Sequence, residues 1–135
     1  MITIHQGVDL VELSKFKEIL GRNSDFALDI FTERERAYCG SMKDPTIHFA
    51  GRFAAKESYA KALGTGFSGA GIDHLFQEIE VISSPSGRPE ISVRGWAAKM
   101  AKKRKIRQSS VSISHTARYA VASVILVGES RERTG

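Results

Sequence analysis

The sequence predicts an α+β fold, with an antiparallel sheet packed against a long helix. Three observations lead there. β-Branched runs sit near both ends of the chain, at 2–11 and 110–127, and read as strands. Between them, residues 47–63 carry apolar positions at helical spacing. The remaining elements mix the two periods irregularly, without the regular strand–helix alternation of a doubly wound sheet.

Taken in order, residues 2–11 form the first strand, after which Ser14 is placed to cap a short helix. Phe16, Ile19 and Leu20 give that helix an apolar stripe ending near Gly21, and 25–29 predict one more helical turn. Thr32 with Glu35 three residues on is a capping box, and Phe31 stands where a hydrophobic staple belongs. That helix stops at Gly40, and Asp44-Pro45 punctuates the link to the next. In the long helix Phe49, Phe53, Ala60 and Leu63 supply the stripe, and Ala50, Ala54, Ala55 and Ala62 permit close packing. Gly64 suits the left-handed residue that closes it, and Gly66, Gly69 and Gly71 predict a flexible loop. Residues 76–83 alternate as a strand, 84–89 turn, and 90–93 return. Trp96, Ala97, Met100 and Ala101 mark a last helix, and 110–114 with 119–127 form a hairpin around His115-Thr116.

At 135 residues the chain is expected to be one domain over 1–128, with a polar, frayed tail over 129–135. Cys39 is the single cysteine, so no disulfide framework exists and a reducing cytoplasm is expected. The first residues lack the pattern of a signal peptide, and no window approaches the roughly 20 apolar residues of a membrane helix, so no membrane role is expected. The net charge of +5 favours an acidic partner. Lys99, Lys102, Lys103, Arg104, Lys105 and Arg107 form one basic cluster, but neither zinc-finger spacing nor paired RNA-binding strands accompany it. A solvated helix face is the better reading, and no nucleic-acid partner is expected.

The chemistry-bearing residues centre on 52–61. Glu57 and Lys61 are four apart, the spacing of a surface ion pair. Arg52 and Lys56 are also four apart, and an anion between them would relieve the repulsion of two like charges. Asp9 stands among Val8, Leu10 and Val11, where a carboxylate is expensive alone and stable beside a cation. Mg²⁺ uses one or two carboxylates with phosphate and water, which Asp9 and Glu57 could supply. His115, flanked by Ser114 and Thr116, offers donors to a phosphate or serves as an ordinary turn residue. The glycines of 64–71 fit a mobile flap or a helix cap, since they lack the Gly-Lys-Ser/Thr ending of a P-loop. Zinc is not expected, because the histidines and Cys39 show no close ligand spacing.

Five segments occur together in one order: Gly7-Val8-Asp9-Leu10-Val11-Glu12, Phe31-Thr32-Glu33-Arg34-Glu35, Arg52-Phe53-Ala54-Ala55-Lys56-Glu57 continuing through Lys61 to Gly66, Ser86-Gly87-Arg88-Pro89, and Ser112-Ile113-Ser114-His115-Thr116 with Tyr119-Ala120. In this the chain resembles the small trimeric class of 4'-phosphopantetheinyl transferases, the holo-[acyl-carrier-protein] synthases, over nearly its whole length. The resemblance implies the fold of that family and transfer of phosphopantetheine from coenzyme A to a serine of apo-acyl carrier protein. It also implies a homotrimer with its active site in a cleft between subunits. By match to the family motifs, Asp9 and Glu57 hold Mg²⁺ and Lys61 steadies the pyrophosphate. Arg52 and His115 contact nucleotide phosphates, Lys56 and Thr116 join them in binding coenzyme A, and Ser86, Gly87, Arg88 and Pro89 lie near the adenine or its 3'-phosphate.

The basic surface then finds an acidic carrier protein as its partner, with Lys15, Lys17 and Arg22 as the docking charges. Lys15 replaces the arginine usual in the family, which keeps the charge and loses the bidentate fork. Ser86 stands where asparagine is common. A nucleic-acid module, a catalytically dead partner and a transferase using another nucleotide remain as rival classes.

Overall fold

The computed structural model describes residues 1–64 and 72–130, without the side chains of 72–74. The expected loop glycines Gly66, Gly69 and Gly71 lie outside them, as do 131–135 of the expected frayed tail 129–135. The first two residues of that tail are held, Glu129 by pairing with Ile2 and Ser130 by its N–H donating to Met1 O at 2.9 Å. Along the chain run β1 (Ile2–Glu12), α1 (Leu13–Arg22), α2 (Ser24–Ile30), α3 (Glu33–Gly40), α4 (Pro45–Leu63), α5 (Ile72–Glu78), β2 (Ile79–Ser83), β3 (Pro89–Val93), α6 (Gly95–Lys103), β4 (Ile106–His115) and β5 (Tyr119–Glu129). The α+β expectation holds: β1, β5 and β4 form an antiparallel sheet in that order, and β2 pairs with β3 as a separate hairpin.

Helix α4 is the centre of the molecule because its side chains are small. Pro45 opens its first turn, where a missing N–H costs nothing, and Gly64 closes it at φ 74. Ala50, Gly51, Ala54, Ala55, Ser58 and Ala62 are buried, so the sheet approaches the helix backbone. A Cβ on Gly7 of β1 would stand 2.0 Å from the Ser58 carbonyl oxygen, and one on Gly51 would stand 2.7 Å from Ile113. Glycine at these two positions sets how close sheet and helix can come. A second apolar cluster joins α1 to α4 through Phe16, Phe26 and Phe53, whose rings meet at 5.4–5.9 Å.

Strand β1 alternates as expected: its odd-numbered side faces α4, while Ile2, Ile4, Val8 and Leu10 are each more than half exposed on the other. The capping box at Thr32 is present in both directions: the hydroxyl accepts from Glu35 N–H at 3.2 Å, and Glu35 Oε1 accepts from Thr32 N–H at 2.9 Å.

Two local expectations are corrected. Ser14 lies inside α1 and donates to Glu12 Oε1 at 3.0 Å, while Glu12 is the N-cap residue and makes no side-chain cap bond. Residues 76–78 end α5 instead of starting β2. Their alternation matched a strand, yet Glu78 Oε1 accepts from Ala97 N–H at 3.1 Å and the Glu78 carbonyl from Arg94 N–H at 3.0 Å. Glu78 is thereby tied to the N-terminus of α6. No helix among the described residues is long and apolar enough to cross a membrane.

Candidate active site

The sequence-predicted residues gather into two clusters, one on each of two grooves beside α4. The first joins β1 to the C-terminal half of the helix. Asp9 lies on the inward side of β1, and Glu57 and Lys61 lie one turn apart on α4. Lys61 Nζ donates to Asp9 Oδ1 at 2.9 Å and to the Val8 carbonyl at 3.1 Å. The expected Glu57–Lys61 pair is thus replaced by a contact between helix and strand. Burial pushes the Glu57 carboxyl up to about 7; the Asp9 charge and a hydrogen bond between the two acids push the same way, against the opposing pull of Lys61. Two like-charged carboxyls this close disfavour ionisation of both at once.

This donor set fits a hard divalent cation: two crowded carboxylates, with room left for phosphate oxygens and water. Among the described residues no group of three or more His, Cys, Asp or Glu gathers, so a Mg²⁺ ion here would depend on its substrate for further ligands. Asp9 and Glu57 line an open groove of about 220 Å³ together with Lys15, Phe16, Ile19 and Phe53. Lys15 is exposed and only 3.7 Å from Glu12, and Arg22 pairs with Glu18. Lys17 is exposed on the same helix.

The second groove, of about 190 Å³, is lined by Arg52, His115, Gly87 and Pro89, four of the expected phosphate and nucleotide contacts. Arg52 is only 5% exposed. Its Nη2 donates to Ser83 Oγ at 2.9 Å, and its guanidinium lies 4.0 Å above the Tyr38 ring. Its Nε is buried with no hydrogen-bond partner. An unpaired buried donor on a charged group is costly, and an anion in the groove would satisfy it. Gly87, at φ 85, has open space where a side chain would stand and closes the β2–β3 turn, its N–H donating to Ser84 O at 2.8 Å.

Other expected contacts fall elsewhere. Lys56 is fully buried and bonds Glu35 Oε1 at 2.7 Å, Phe76 O at 2.6 Å and Ile79 O at 2.8 Å. All three of its protons are committed, so Lys56 is corrected from a phosphate contact to a core ion pair. Burial pushes its ammonium down and the Glu35 carboxylate holds it up. Thr116 sits in the β4–β5 turn, where its Oγ1 accepts from the N–H groups of Arg118 and Tyr119, each at 3.1 Å, and keeps its own proton to donate. Ser86 is exposed at the turn, with its hydroxyl 2.8 Å from that of Ser84. Arg88 lines a neighbouring groove with Ser109 and Ser110.

Two groove residues escaped the sequence reading, Tyr38 and His48. His48 stands one helical turn before Arg52, a spacing that could have flagged it; Tyr38 arrives from α3 and carried no signal. The two grooves share no lining residue.

Comparison with known proteins agrees over almost the entire chain. The family model described as the 4'-phosphopantetheinyl transferase superfamily matches residues 6–124. The holo-[acyl-carrier-protein] synthase of Caldanaerobacter subterraneus subsp. tengcongensis is 41% identical, across 93% of this chain and 95% of that one. Among solved structures, the Chronobacterium ammoniagenes ACPS–CoA complex aligns with a TM-score of 0.83 at 31% identity, covering 95% of this chain and 99% of the other. The Bacillus anthracis holo-(acyl-carrier-protein) synthase in complex with CoA (3',5'-ADP) aligns at 0.76 and 33% identity, covering 96% and 100%. The chain belongs to the 4'-phosphopantetheinyl transferase superfamily.

Proposed function

We propose that this protein is a holo-[acyl-carrier-protein] synthase, moving 4'-phosphopantetheine from coenzyme A to a serine of apo-acyl carrier protein and releasing adenosine 3',5'-bisphosphate. The observation that carries the reading is the Asp9–Glu57–Lys61 cluster, two acids and a cation drawn together across β1 and α4. In the reaction the serine oxygen forms a bond to the β-phosphorus, the bond from that phosphorus to the bridging oxygen breaks with the electron pair staying on the leaving bisphosphate, and the serine proton passes to water. Such transfers require positioning and charge neutralisation more than covalent help.

Asp9 and Glu57 would hold Mg²⁺ against the pyrophosphate, where it supplies Lewis-acid stabilisation of phosphoryl charge. Lys61, held by Asp9 and the Val8 carbonyl, keeps an ammonium where negative charge builds on the leaving bisphosphate. Arg52 and His115 take the nucleotide end in the second groove, beside Gly87 and Pro89. Lys15, which lines the first groove, receives the acidic carrier protein, assisted by Lys17 and Arg22.

A homotrimer follows as the working assembly. The face of β1 turned away from α4 leaves Ile2, Ile4, Val8 and Leu10 exposed beside Ile125 of β5, an apolar surface suited to a second copy. Such packing would let the nucleotide groove of one subunit serve the carboxylate cluster of its neighbour. The setting proposed is the cytoplasm, in fatty acid biosynthesis. The test is release of adenosine 3',5'-bisphosphate from coenzyme A in the presence of apo-acyl carrier protein and Mg²⁺. Dependence on all three supports the reading; release without the carrier protein, or none at all from folded enzyme, overturns it.

A further inference from the structure

The nucleotide groove holds a titratable side chain that none of the roles above uses. His48 lies on α4 one turn from Arg52 and lines the groove together with His115, the last residue of β4. The Tyr38 ring meets it edge-on, with centroids 6.0 Å apart and planes at 83°, which fixes the plane of the imidazole. Within the same groove Arg52 has its orphaned, buried Nε. Two imidazoles and an under-satisfied guanidinium therefore border one small space. We propose that His48 is a further phosphate-binding residue of this groove, working with Arg52 and His115 to take a phosphate monoester dianion together with a proton.

The charged and titratable groups around His48 support this. Burial pushes its pKa down from the ordinary 6.5, and Arg52 and then His115 push the same way. Asp44, at the N-cap of α4, pulls it up; Tyr38 faces it from α3. In the free protein these groups favour the neutral imidazole of His48. A dianion placed among these groups reverses the balance, because it stabilises the imidazolium. The pKa of His48 rises on binding, so binding takes up a proton and tightens as pH falls from 8. The gain ends near pH 6, where a phosphate monoester begins to lose its second charge.

The inference rests on the groove being the nucleotide end of the coenzyme A site, and it adds a specificity. A phosphodiester or pyrophosphate linkage offers less charge per phosphorus than a terminal monoester. The groove therefore selects coenzyme A, with its 3'-phosphate, over dephospho-coenzyme A, and His48 carries part of that choice.

Calorimetric titration of the assembled protein with each ligand, in Mg²⁺ and in two buffers of different ionisation enthalpy, tests the proposal. Wild type and His48→Gln are compared at pH 6.5 and pH 8, after thermal melts establish that the variant folds. The glutamine keeps a donor and cannot titrate. The expected result is proton uptake with coenzyme A at pH 6.5, at least halved in H48Q. Affinity for coenzyme A should fall roughly tenfold in the variant at pH 6.5, the size of one charge-assisted hydrogen bond, and little at pH 8. Dephospho-coenzyme A should bind both proteins alike. Equal proton uptake and affinity in the two proteins overturns the role of His48 and leaves the groove assignment standing. An equal loss for both ligands at both pH values reduces His48 to packing and also overturns it. Failure of wild type to bind coenzyme A overturns the groove assignment along with it.

Discussion

Lys56 and Glu57 are neighbours in the chain and serve opposite ends of the molecule's chemistry. Lys56 turns into the core, 2.7 Å from Glu35 Oε1, while Glu57 turns to Asp9 at the open groove. Removing Lys56 leaves Glu35 buried and charged, although Glu35 Oε2 still accepts from Val81 N–H. Lys56→Ala should therefore lose about 3–5 kcal/mol of stability in urea titration. Glu57→Ala removes a crowded carboxylate and should stay within about 1 kcal/mol of wild type, while kcat falls at least about a hundredfold. Equal stabilities for the two variants would contradict this division of labour.

Gly7 is the point of closest approach between sheet and helix. Gly7→Ala puts a methyl group into the Ser58 carbonyl, on a helix already fixed by Ser58 Oγ donating to Ala122 O at 3.0 Å. The expected loss is about 3 kcal/mol or more, at the upper end for overpacked cores. A melting temperature within a degree of wild type would show that β1 sits farther from α4.

Cys39 is fully buried, and burial pushes its thiol up to about 11 from an ordinary 9.0. A group whose folded pKa is raised contributes stability that is complete below the unfolded pKa and is lost as pH climbs through the folded one. Stability should therefore decline between pH 9 and 11, with buried Tyr59 adding to the decline from pH 10 upwards. Cys39→Ala should make that decline shallower. The native thiol should resist iodoacetamide at pH 8 and react only on unfolding; prompt native labelling would place Cys39 at the surface.

The docking charges predict a kinetic signature. Reversing Lys15 and Lys17 to glutamate should raise the KM for carrier protein several-fold at low salt and much less at high salt, with the coenzyme A KM unchanged. An unchanged carrier-protein KM at low salt would move the docking surface away from α1.

Much of the fold was legible because local signals agreed with tertiary packing. Thr32 and Glu35 form their capping box, Gly64 closes α4, and the 3.6-residue stripe with its alanines marks the helix that the sheet covers. The clustering of Asp9, Glu57 and Lys61 was readable only through the ordered motifs, since spacing alone cannot bring residue 9 to residue 57. Lys56 was misplaced for a related reason. Its spacing from Arg52 was right, and both side chains do turn inwards, but the carboxylate that neutralises Lys56 arrives from another helix. Glu35 caps α3 by local rules, and nothing local shows that the same Oε1 also takes Lys56 while Oε2 accepts from Val81 N–H to close a buried network. Residues 76–78 failed differently: a short alternation fits a strand as well as one turn of helix, and these three residues close α5.

The most direct test is intact-protein mass spectrometry of an apo-acyl carrier protein incubated with this protein, coenzyme A and Mg²⁺, with EDTA-treated and Glu57→Ala controls. The expected result is a mass gain of one phosphopantetheine on the carrier, abolished by EDTA and nearly abolished in the variant. A gain of full size in EDTA, or from Glu57→Ala at the wild-type rate, would contradict the assignment of the Asp9–Glu57 pair. No gain on any of several carriers, from folded enzyme that binds coenzyme A, would contradict the transfer itself.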